Sequence, residues 1–217
     1  MTDFAAAREA MVDCQVRPSD VTRYPIIEAL LNVPREEFVP EGLRPVAYLG
    51  EHVPLAPGRV LLDPRVFAKL LDAVNVGPKD LVLDIGCGLG YSSAVLARMA
   101  EAVIGVEEDA AMAAQAEEIL AAEGATNALV ESGPLAKGRA GHGPFDAIVI
   151  EGCIEVLPEA IAAQLKPGGR IVAIFGDGRN GQARLGINTT GGIAWRRIFD
   201  ATAPVLPGFS ETKAFEF

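Results

Sequence analysis

The chain has 217 residues, half of them apolar and 22% charged, with a formal net charge of −10 at pH 7. This length and composition allow a large hydrophobic core and exclude an intrinsically disordered chain. The acidic surface repels phosphate backbones, so we expect no nucleic-acid partner.

Three cysteines and two histidines lie far apart, without the close spacing of zinc ligands, so we expect no metal site. Sparse cysteines are typical of a protein from a reducing compartment. The first residues lack the apolar segment of a signal peptide, and no apolar run approaches the roughly 20 residues of a membrane span. These features predict a cytoplasmic protein with no membrane partner.

The first part of the chain is predicted to be helical and then irregular. Residues 5–16 have a helix-forming composition, and residues 24–33 place apolar side chains at helical spacing. Residues 34–60 contain many prolines and glycines, and their apolar residues show no clear helical or strand periodicity. A loop of this length inside a compact domain tends to be functional, for example as a lid or a binding segment.

A further helix is predicted over residues 64–74, where apolar side chains share one face. The preceding stretch, GRVLLDP at 58–64, ends in a helix-start signal. The carboxylate of Asp63 can cap free backbone N–H groups, and Pro64 suits the first helical turn.

Strands and helices alternate from residue 81 onward. Strands are predicted at 81–85, 102–107, 127–131, 145–152 and 170–175, and helices at 92–100, 110–122 and 155–165. This alternation predicts βαβ units and a parallel sheet. Two more strands, 183–188 and 193–200, are joined by a short Gly-containing turn, which predicts an antiparallel hairpin.

The strongest local motif is VLDIGCGLGYSS at 82–93, between a predicted strand and a predicted helix. Glycines 86, 88 and 90 would let a ligand approach the backbone. Their G-x-G-x-G spacing departs from the G-x-G-x-x-G of dinucleotide sites. Asp84 would repel a pyrophosphate but suits a cationic amino group. The alternative is a structural turn that only packs the helix on the strand.

Glu107 ends the second predicted strand, where a carboxylate can accept hydrogen bonds from both hydroxyls of a ribose. The combination of Asp84, the glycines and Glu107 resembles class I S-adenosylmethionine (SAM) methyltransferases. The resemblance covers roughly residues 78–200 and implies a seven-stranded sheet whose last strand is antiparallel. It also places Glu151, after the fourth strand, where such enzymes contact cofactor or substrate; the alternative is a solvated strand end.

The N-terminal part carries a narrower resemblance. The segments MVDCQVRPSDV at 11–21, IIEALLNVPREEFVP at 26–40 and AYLGEHVPLAPG at 47–58 resemble the protein-L-isoaspartate O-methyltransferase family in order and spacing. The resemblance implies transfer of a methyl group from SAM to the α-carboxyl of an isoaspartyl residue in a damaged protein. The methyl ester then cyclises to a succinimide, which allows repair.

The sequence departs from that family at the acceptor side. The family has a Thr-(Ile/Val)-Ser-Gln-Pro segment where this chain has residues 60–64, so Leu62 replaces the serine that helps to hold the substrate carboxylate. Asp63 replaces the glutamine. Leu62 and Asp63 are therefore the candidates for the acceptor wall, and no catalytic residue is assigned.

A second departure follows the third strand. The family has the motif G-D-G-x-x-G there, whereas residues 133–138 of this chain read GPLAKG. Pro134 replaces the aspartate that would meet the adenine amino group, and Glu131 or Ser132 could substitute for it.

The sequence as a whole predicts an α/β, Rossmann-like protein. Its mostly parallel seven-stranded sheet would end in an antiparallel C-terminal hairpin. A helical and loop extension at residues 1–77 would form the acceptor side, and residues 78–217 would form the SAM-binding domain. The predicted cofactor-binding residues are Asp84, Gly86, Gly88, Gly90, Glu107, Pro134 and Glu151.

The expected function is SAM-dependent methylation of isoaspartyl carboxylates in a peptide or protein acceptor. A related methyltransferase with a different acceptor, including a small molecule, and a non-catalytic SAM-binding protein remain alternatives. A dinucleotide oxidoreductase is disfavoured by the glycine spacing and by Asp84. The sequence alone does not determine the true acceptor, the oligomeric state, the conformation of residues 34–60 or the effect of the missing serine.

Overall fold

The computed structural model of the protein describes residues 3–211, in which seven strands form one twisted sheet. The strands are β3 (Leu81–Ile85), β4 (Ala102–Glu107), β5 (Ala128–Ser132), β6 (Phe145–Ile154), β7 (Leu165–Gly176), β8 (Gly181–Thr189) and β9 (Gly192–Asp200). Their order is β5-β4-β3-β6-β7-β8-β9; β8 and β9 run antiparallel to their neighbours and the other pairs are parallel. The predicted fold class and C-terminal hairpin are confirmed.

The helices are α1 (Phe4–Met11), α2 (Tyr24–Asn32), α3 (Pro64–Val74), α4 (Tyr91–Ala97), α5 (Ala110–Ala122) and the single turn α6 (Glu159–Ala162). Alternate residues of β3 enter different hydrophobic clusters: Val82 belongs to one, Leu83 and Ile85 to the other. This division is expected of a central strand that is covered on both faces.

The predicted loop at 34–60 contains more structure than expected. Two 3-10 turns, Arg35–Phe38 and Glu41–Val46, precede a two-stranded antiparallel hairpin of β1 (Val53–Ala56) and β2 (Arg59–Leu61). The two strands have only four and three residues, too few to show an alternating pattern in the sequence. Gly58 forms part of their turn, with a φ of 70° that favours glycine.

The predicted helix at 155–165 was wrong in extent, because only Glu159–Ala162 is helical. The backbone N–H groups of Glu155 and Val156 instead donate to the carbonyl of Phe209. This long-range contact draws the C-terminal segment across the end of β6, and Pro158 delays the start of the helix.

One hydrophobic cluster contains Leu70 and Leu71 together with Val82 and Val95, so the predicted division at residue 77 does not separate two cores. The limits 1–77 and 78–217 stay a prediction, and residues 1–2 and 212–217 lie outside the described residues. Within residues 3–211, no helix has the length and apolarity needed to cross a membrane.

Candidate functional site

The carboxyl ends of the central strands bring three acidic side chains together. From β3 the chain passes to β4 on one side of the sheet and later to β6 on the other. A sheet of this kind has its ligand crevice where the strand order reverses. Asp84 of β3, Glu107 of β4 and Glu151 of β6 are all buried there.

Asp84 has one satisfied oxygen and one without a partner. Its Oδ2 accepts hydrogen bonds from the hydroxyls of Ser92 (2.7 Å) and Ser93 (2.6 Å), at the start of α4. Its Oδ1 is buried and has no hydrogen-bond partner among residues 3–211. Burial raises the pKa of Asp84 to about 6, although the two serine hydroxyls act against this rise.

Glu151 presents a second buried carboxylate oxygen, Oε1, that has no hydrogen-bond partner within the part of the chain that the structure describes. Burial, and then the nearby charge of Asp84, raise the pKa of Glu151 well above its ordinary value. Unpartnered buried polar atoms are costly and rare in folded proteins. A cationic group between Asp84 and Glu151 would satisfy both oxygens.

Glu107 closes the glycine loop at the end of β4. Its Oε1 accepts from the backbone N–H groups of Glu108 (2.8 Å) and Asp109 (3.2 Å). Its Oε2 accepts from the backbone N–H of Gly88 at 2.9 Å and from Arg59 Nη2 at 2.5 Å. The carboxylate is therefore held rigidly next to the loop, where it could accept the hydroxyls of a diol.

Three side chains that sequence reasoning missed cover the glycine loop. The Arg59 guanidinium, from β2, also donates to the carbonyl of Gly86 at 2.8 Å. A Cβ atom on Gly88 would lie 2.5 Å from Leu55 Cδ1, and one on Gly86 would lie 3.2 Å from Leu206 Cδ1. The hairpin and the C-terminal segment thus fill the space in which a ligand would approach these glycines.

The polar groups of this site fit an adenosyl amino-acid cofactor. The orphaned oxygens of Asp84 and Glu151 suit a cationic amino group, and Glu107 suits a ribose diol. The space beside the glycines is filled by Leu55 and Arg59 of the hairpin and by Leu206 of the C-terminal segment.

Two predicted cofactor residues lie apart from this acidic group. Gly90 has a φ of 94°, and a Cβ atom there would meet Ala116 and Leu120 of α5 at 3.3 to 3.5 Å, so its lack of a side chain lets α4 and α5 approach. Pro134 is exposed, one residue after Gly133, whose N–H donates to the carbonyl of Glu107. Their roles in cofactor binding stay predictions.

Glu131, the possible substitute at the adenine end, has other partners. Its carboxylate lies 2.6 Å from Arg139 Nε and 2.9 Å from His142 Nε2. These contacts leave the neighbouring Ser132, which is exposed, as the simpler candidate for meeting an adenine amino group.

The two acceptor-wall candidates occupy different surroundings. Asp63 is the predicted N-cap of α3, since its Oδ1 accepts from the N–H of Val66 at 2.9 Å. It also lines an open cavity of about 700 Å³ together with His52, Arg65 and Arg184. Leu62 is fully buried in the core and does not line that cavity. A serine at position 62 would not face open solvent here.

Replacing Leu62 by serine should therefore destabilise the fold rather than restore an acceptor contact. We expect the free energy of unfolding to fall by about 3 kcal/mol, because a core cavity forms and a hydroxyl is buried. Chemical denaturation measures this loss. The matched control is Leu49→Ser. Because Leu49 is 54% exposed, this substitution should lower the free energy of unfolding by less than about 1 kcal/mol. Equal stability of the two variants would show that Leu62 is not a core residue.

Arg35 ties the N-terminal extension to this region. It is fully buried, with Nε donating to the carbonyl of Ala47 and Nη2 to that of Leu62, both at 2.6 Å. Its guanidinium lies over the ring of Tyr91, 4.9 Å from the centroid. One cation thus connects the first 3-10 turn, the start of α3 and the start of α4.

Comparison with known proteins identifies the family. The family model described as "Protein-L-isoaspartate(D-aspartate) O-methyltransferase (PCMT)" matches residues 6–191. The chain belongs to this family. A protein-L-isoaspartate O-methyltransferase of Roseiflexus sp. (strain RS-1) is 35% identical over 212 residues, which cover 97% of this chain and 96% of that protein. One from Koribacter versatilis (strain Ellin345) is 35% identical over 81% of this chain and 79% of its own length.

Solved structures of the family share the fold. A protein-L-isoaspartate O-methyltransferase superposes with a TM-score of 0.81 at 23% identity, covering 93% of this chain and 66% of that one. A putative family member from Plasmodium falciparum, in complex with S-adenosylhomocysteine (SAH), superposes with a TM-score of 0.78 at 19% identity, covering 95% and 99%. The family match includes the hairpin and all three acidic residues, whereas Leu206 lies beyond its end.

Proposed function

We propose that this chain is a SAM-dependent O-methyltransferase that methylates isoaspartyl carboxylates in proteins. The observation that carries the proposal is the pair of orphaned carboxylate oxygens, on Asp84 and Glu151, beside a glycine loop closed by Glu107. When bound, SAM supplies an electrophilic methyl group on a positively charged sulfur. Asp84 and Glu151 would hold its amino group, and Glu107 its ribose.

The protein's contribution to this reaction is positioning. A carboxylate oxygen is already nucleophilic, so it needs alignment with the methyl group rather than a general base. Cations are needed to bring an anionic acceptor into an acidic protein, and Arg65 and Arg184 line the cavity next to Asp63. This cavity is our candidate for the acceptor entrance.

A related methyltransferase with another acceptor is the second candidate function. It is favoured by Leu62, whose buried apolar side chain offers no hydrogen bond to a carboxylate. A small-molecule acceptor belongs to this second candidate. We expect the protein to act in the cytoplasm, since sparse cysteines are typical of a reducing compartment. We expect no nucleic-acid partner, in keeping with the net charge of −10.

Incubation with radiolabelled SAM and an isoaspartyl peptide tests the proposal, with the matching aspartyl peptide as control. Base-labile label on the isoaspartyl peptide alone supports it. SAH binding without transfer to either peptide would remove the isoaspartyl assignment and favour the second candidate or a non-catalytic role.

Cofactor binding should weaken in acid. With the pKa of Asp84 at about 6, its carboxylate is mostly ionised at pH 7 and mostly protonated at pH 5. Since only the ionised form pairs with a cationic amino group, SAH affinity should fall about tenfold between these pH values. Titration calorimetry measures the change, and Asp84→Asn should abolish most of it.

The stability of the unliganded protein should change in the opposite direction. The raised pKa means that folded Asp84 holds its proton more tightly than unfolded Asp84. Its contribution to stability is therefore present at low pH and is lost as the pH rises through about 6. If Asp84 caused both SAH affinity and the free energy of unfolding to fall between pH 7 and pH 5, the raised pKa of Asp84 would be contradicted.

A further inference from the structure

His52 joins two segments that border the candidate acceptor cavity. It stands immediately before β1, and its ring has a backbone partner at each nitrogen. The N–H of Asp63, the N-cap of α3, donates to Nδ1 at 2.8 Å. The carbonyl oxygen of Thr202, just beyond β9, lies 2.7 Å from Nε2. All three residues line the cavity, so one side chain holds two parts of its wall together.

These two partners determine the tautomer of the His52 ring. A backbone N–H can only donate, so Nδ1 is the bare nitrogen that accepts from Asp63. A carbonyl oxygen can only accept, so Nε2 carries the proton and donates to Thr202. The neutral imidazole is therefore the form that makes both bonds.

The bond from Asp63 to His52 completes a clamp on one peptide group of the acceptor wall. The N–H of Asp63 and the carbonyl of Leu62 belong to the same planar peptide unit. Its carbonyl accepts from the buried Arg35 at 2.6 Å, and its N–H donates to His52. The plane of this unit cannot turn without breaking one of the two bonds.

We propose that His52 is a positioning residue for the methyl acceptor, which acts by fixing the Leu62–Asp63 peptide group and the Thr202 backbone at the cavity. This inference rests on the proposed function and deepens it. Because Leu62 offers no hydrogen bond to an acceptor carboxylate, recognition depends on where the backbone around it is held. A misplacement of about 1 Å is enough to slow a transfer reaction.

The clamp requires an unprotonated Nδ1. An imidazolium donates from both nitrogens, so it cannot accept from the N–H of Asp63. The Asp63 carboxylate lies 4.0 Å from Nδ1 and would attract the charged ring away from that N–H. The other charged groups that line the cavity are Arg65 of α3, Arg184 of β8 and Asp200 of β9. We therefore expect acid to release the acceptor wall.

His52→Leu removes both bonds and tests the role directly. With saturating SAM, we expect the KM for an isoaspartyl peptide to rise about tenfold, the loss expected from one or two neutral hydrogen bonds. SAH affinity should stay within about twofold, because neither bond involves Asp84 or Glu107. His52→Gln should restore most of the KM, since its amide has an acceptor and a donor. Glu51→Gln is the control, an exposed neighbour that does not line the cavity.

The pH profile separates positioning from a merely structural role. Between pH 7.5 and pH 5.5, at about the reference range of histidine titration, the KM of the unmodified protein should rise toward that of His52→Leu. The KM of His52→Gln should rise less, because its amide does not titrate. Any effect of Asp84 is common to both proteins and cancels in the comparison.

The nitrogen-15 NMR signals of the histidine rings give a readout that needs no acceptor, because they distinguish a protonated ring nitrogen from a bare one. The chain has only two histidines, so His142→Gln assigns the signals by removal. At pH 8 we expect a protonated Nε2 and a bare Nδ1 for His52.

The outcomes separate this inference from the proposed function. An unchanged KM in His52→Leu, an equal rise in acid for the unmodified protein and His52→Gln, or a protonated Nδ1 overturns the inference and leaves the SAM site in place. If the unmodified protein binds SAH but transfers no methyl group to the peptide, the isoaspartyl acceptor is overturned. The ring spectrum then decides alone, since a bare Nδ1 supports the clamp and a protonated Nδ1 removes it.

Discussion

Glu107→Ala should weaken SAH binding by about 100-fold. The carboxylate at the end of β4 accepts from three backbone N–H groups, those of Gly88, Glu108 and Asp109. It is therefore a preorganised acceptor for two ribose hydroxyls. Two hydrogen bonds to a charged group are worth more than this factor in total. Arg59 already donates to one oxygen of this carboxylate, which is why we expect a 100-fold loss rather than a larger one.

Glu108→Ala is the control for this experiment. Glu108 is the next residue and carries the same charge, but it is exposed. We expect its removal to change SAH affinity by less than about twofold, since exposed charges contribute little through solvent. Equal losses in the two variants would indicate that only net charge matters, and no loss in Glu107→Ala would remove Glu107 from the cofactor site.

Arg35→Ala should lower the free energy of unfolding by about 3 to 5 kcal/mol. The side chain is fully buried and supplies donors to the carbonyls of Ala47 and Leu62. Its removal leaves two buried acceptors unpaired, opens a cavity and ends the cation–π contact with Tyr91. Urea denaturation followed by circular dichroism measures the loss.

Arg44→Ala provides the comparison for Arg35→Ala. Arg44 lies in the second 3-10 turn and pairs with Glu37 at 2.7 Å, with both side chains about 40% exposed. An exposed pair of this kind contributes at most about 1 kcal/mol. If the two variants lost similar stability, Arg35 would not be the buried connector that the structure shows.

The parallel part of the sheet could be predicted because its information is local. LVLDI at 81–85 and AVIGVE at 102–107 are short, β-branched apolar runs, and both strands are confirmed at those limits. Helix α3 begins at Pro64 and ends at Val74 as predicted, because Asp63 caps it and its apolar residues repeat at helical spacing. Asp84 and Glu107 followed from their places at strand ends.

The features that cover the site depend on long-range contacts that no local pattern encodes. Arg59 is a single basic residue in a segment without a periodic hydrophobic pattern. Nothing near it in sequence indicates that its partner is Glu107. Leu206 reaches Gly152 because the chain beyond β9 returns to Cys153, where two backbone hydrogen bonds hold it. The shortened α6 has the same origin, since tertiary contacts there override helix propensity.

The central claim is that the glycine loop, Asp84 and Glu107 form an adenosyl-cofactor site. Titration calorimetry of the unmodified protein with SAH, and separately with NAD, tests it most directly. We predict one SAH bound per chain and no binding of NAD, because Asp84 opposes a pyrophosphate and matches a cationic amino group. Binding of NAD without binding of SAH would contradict the claim.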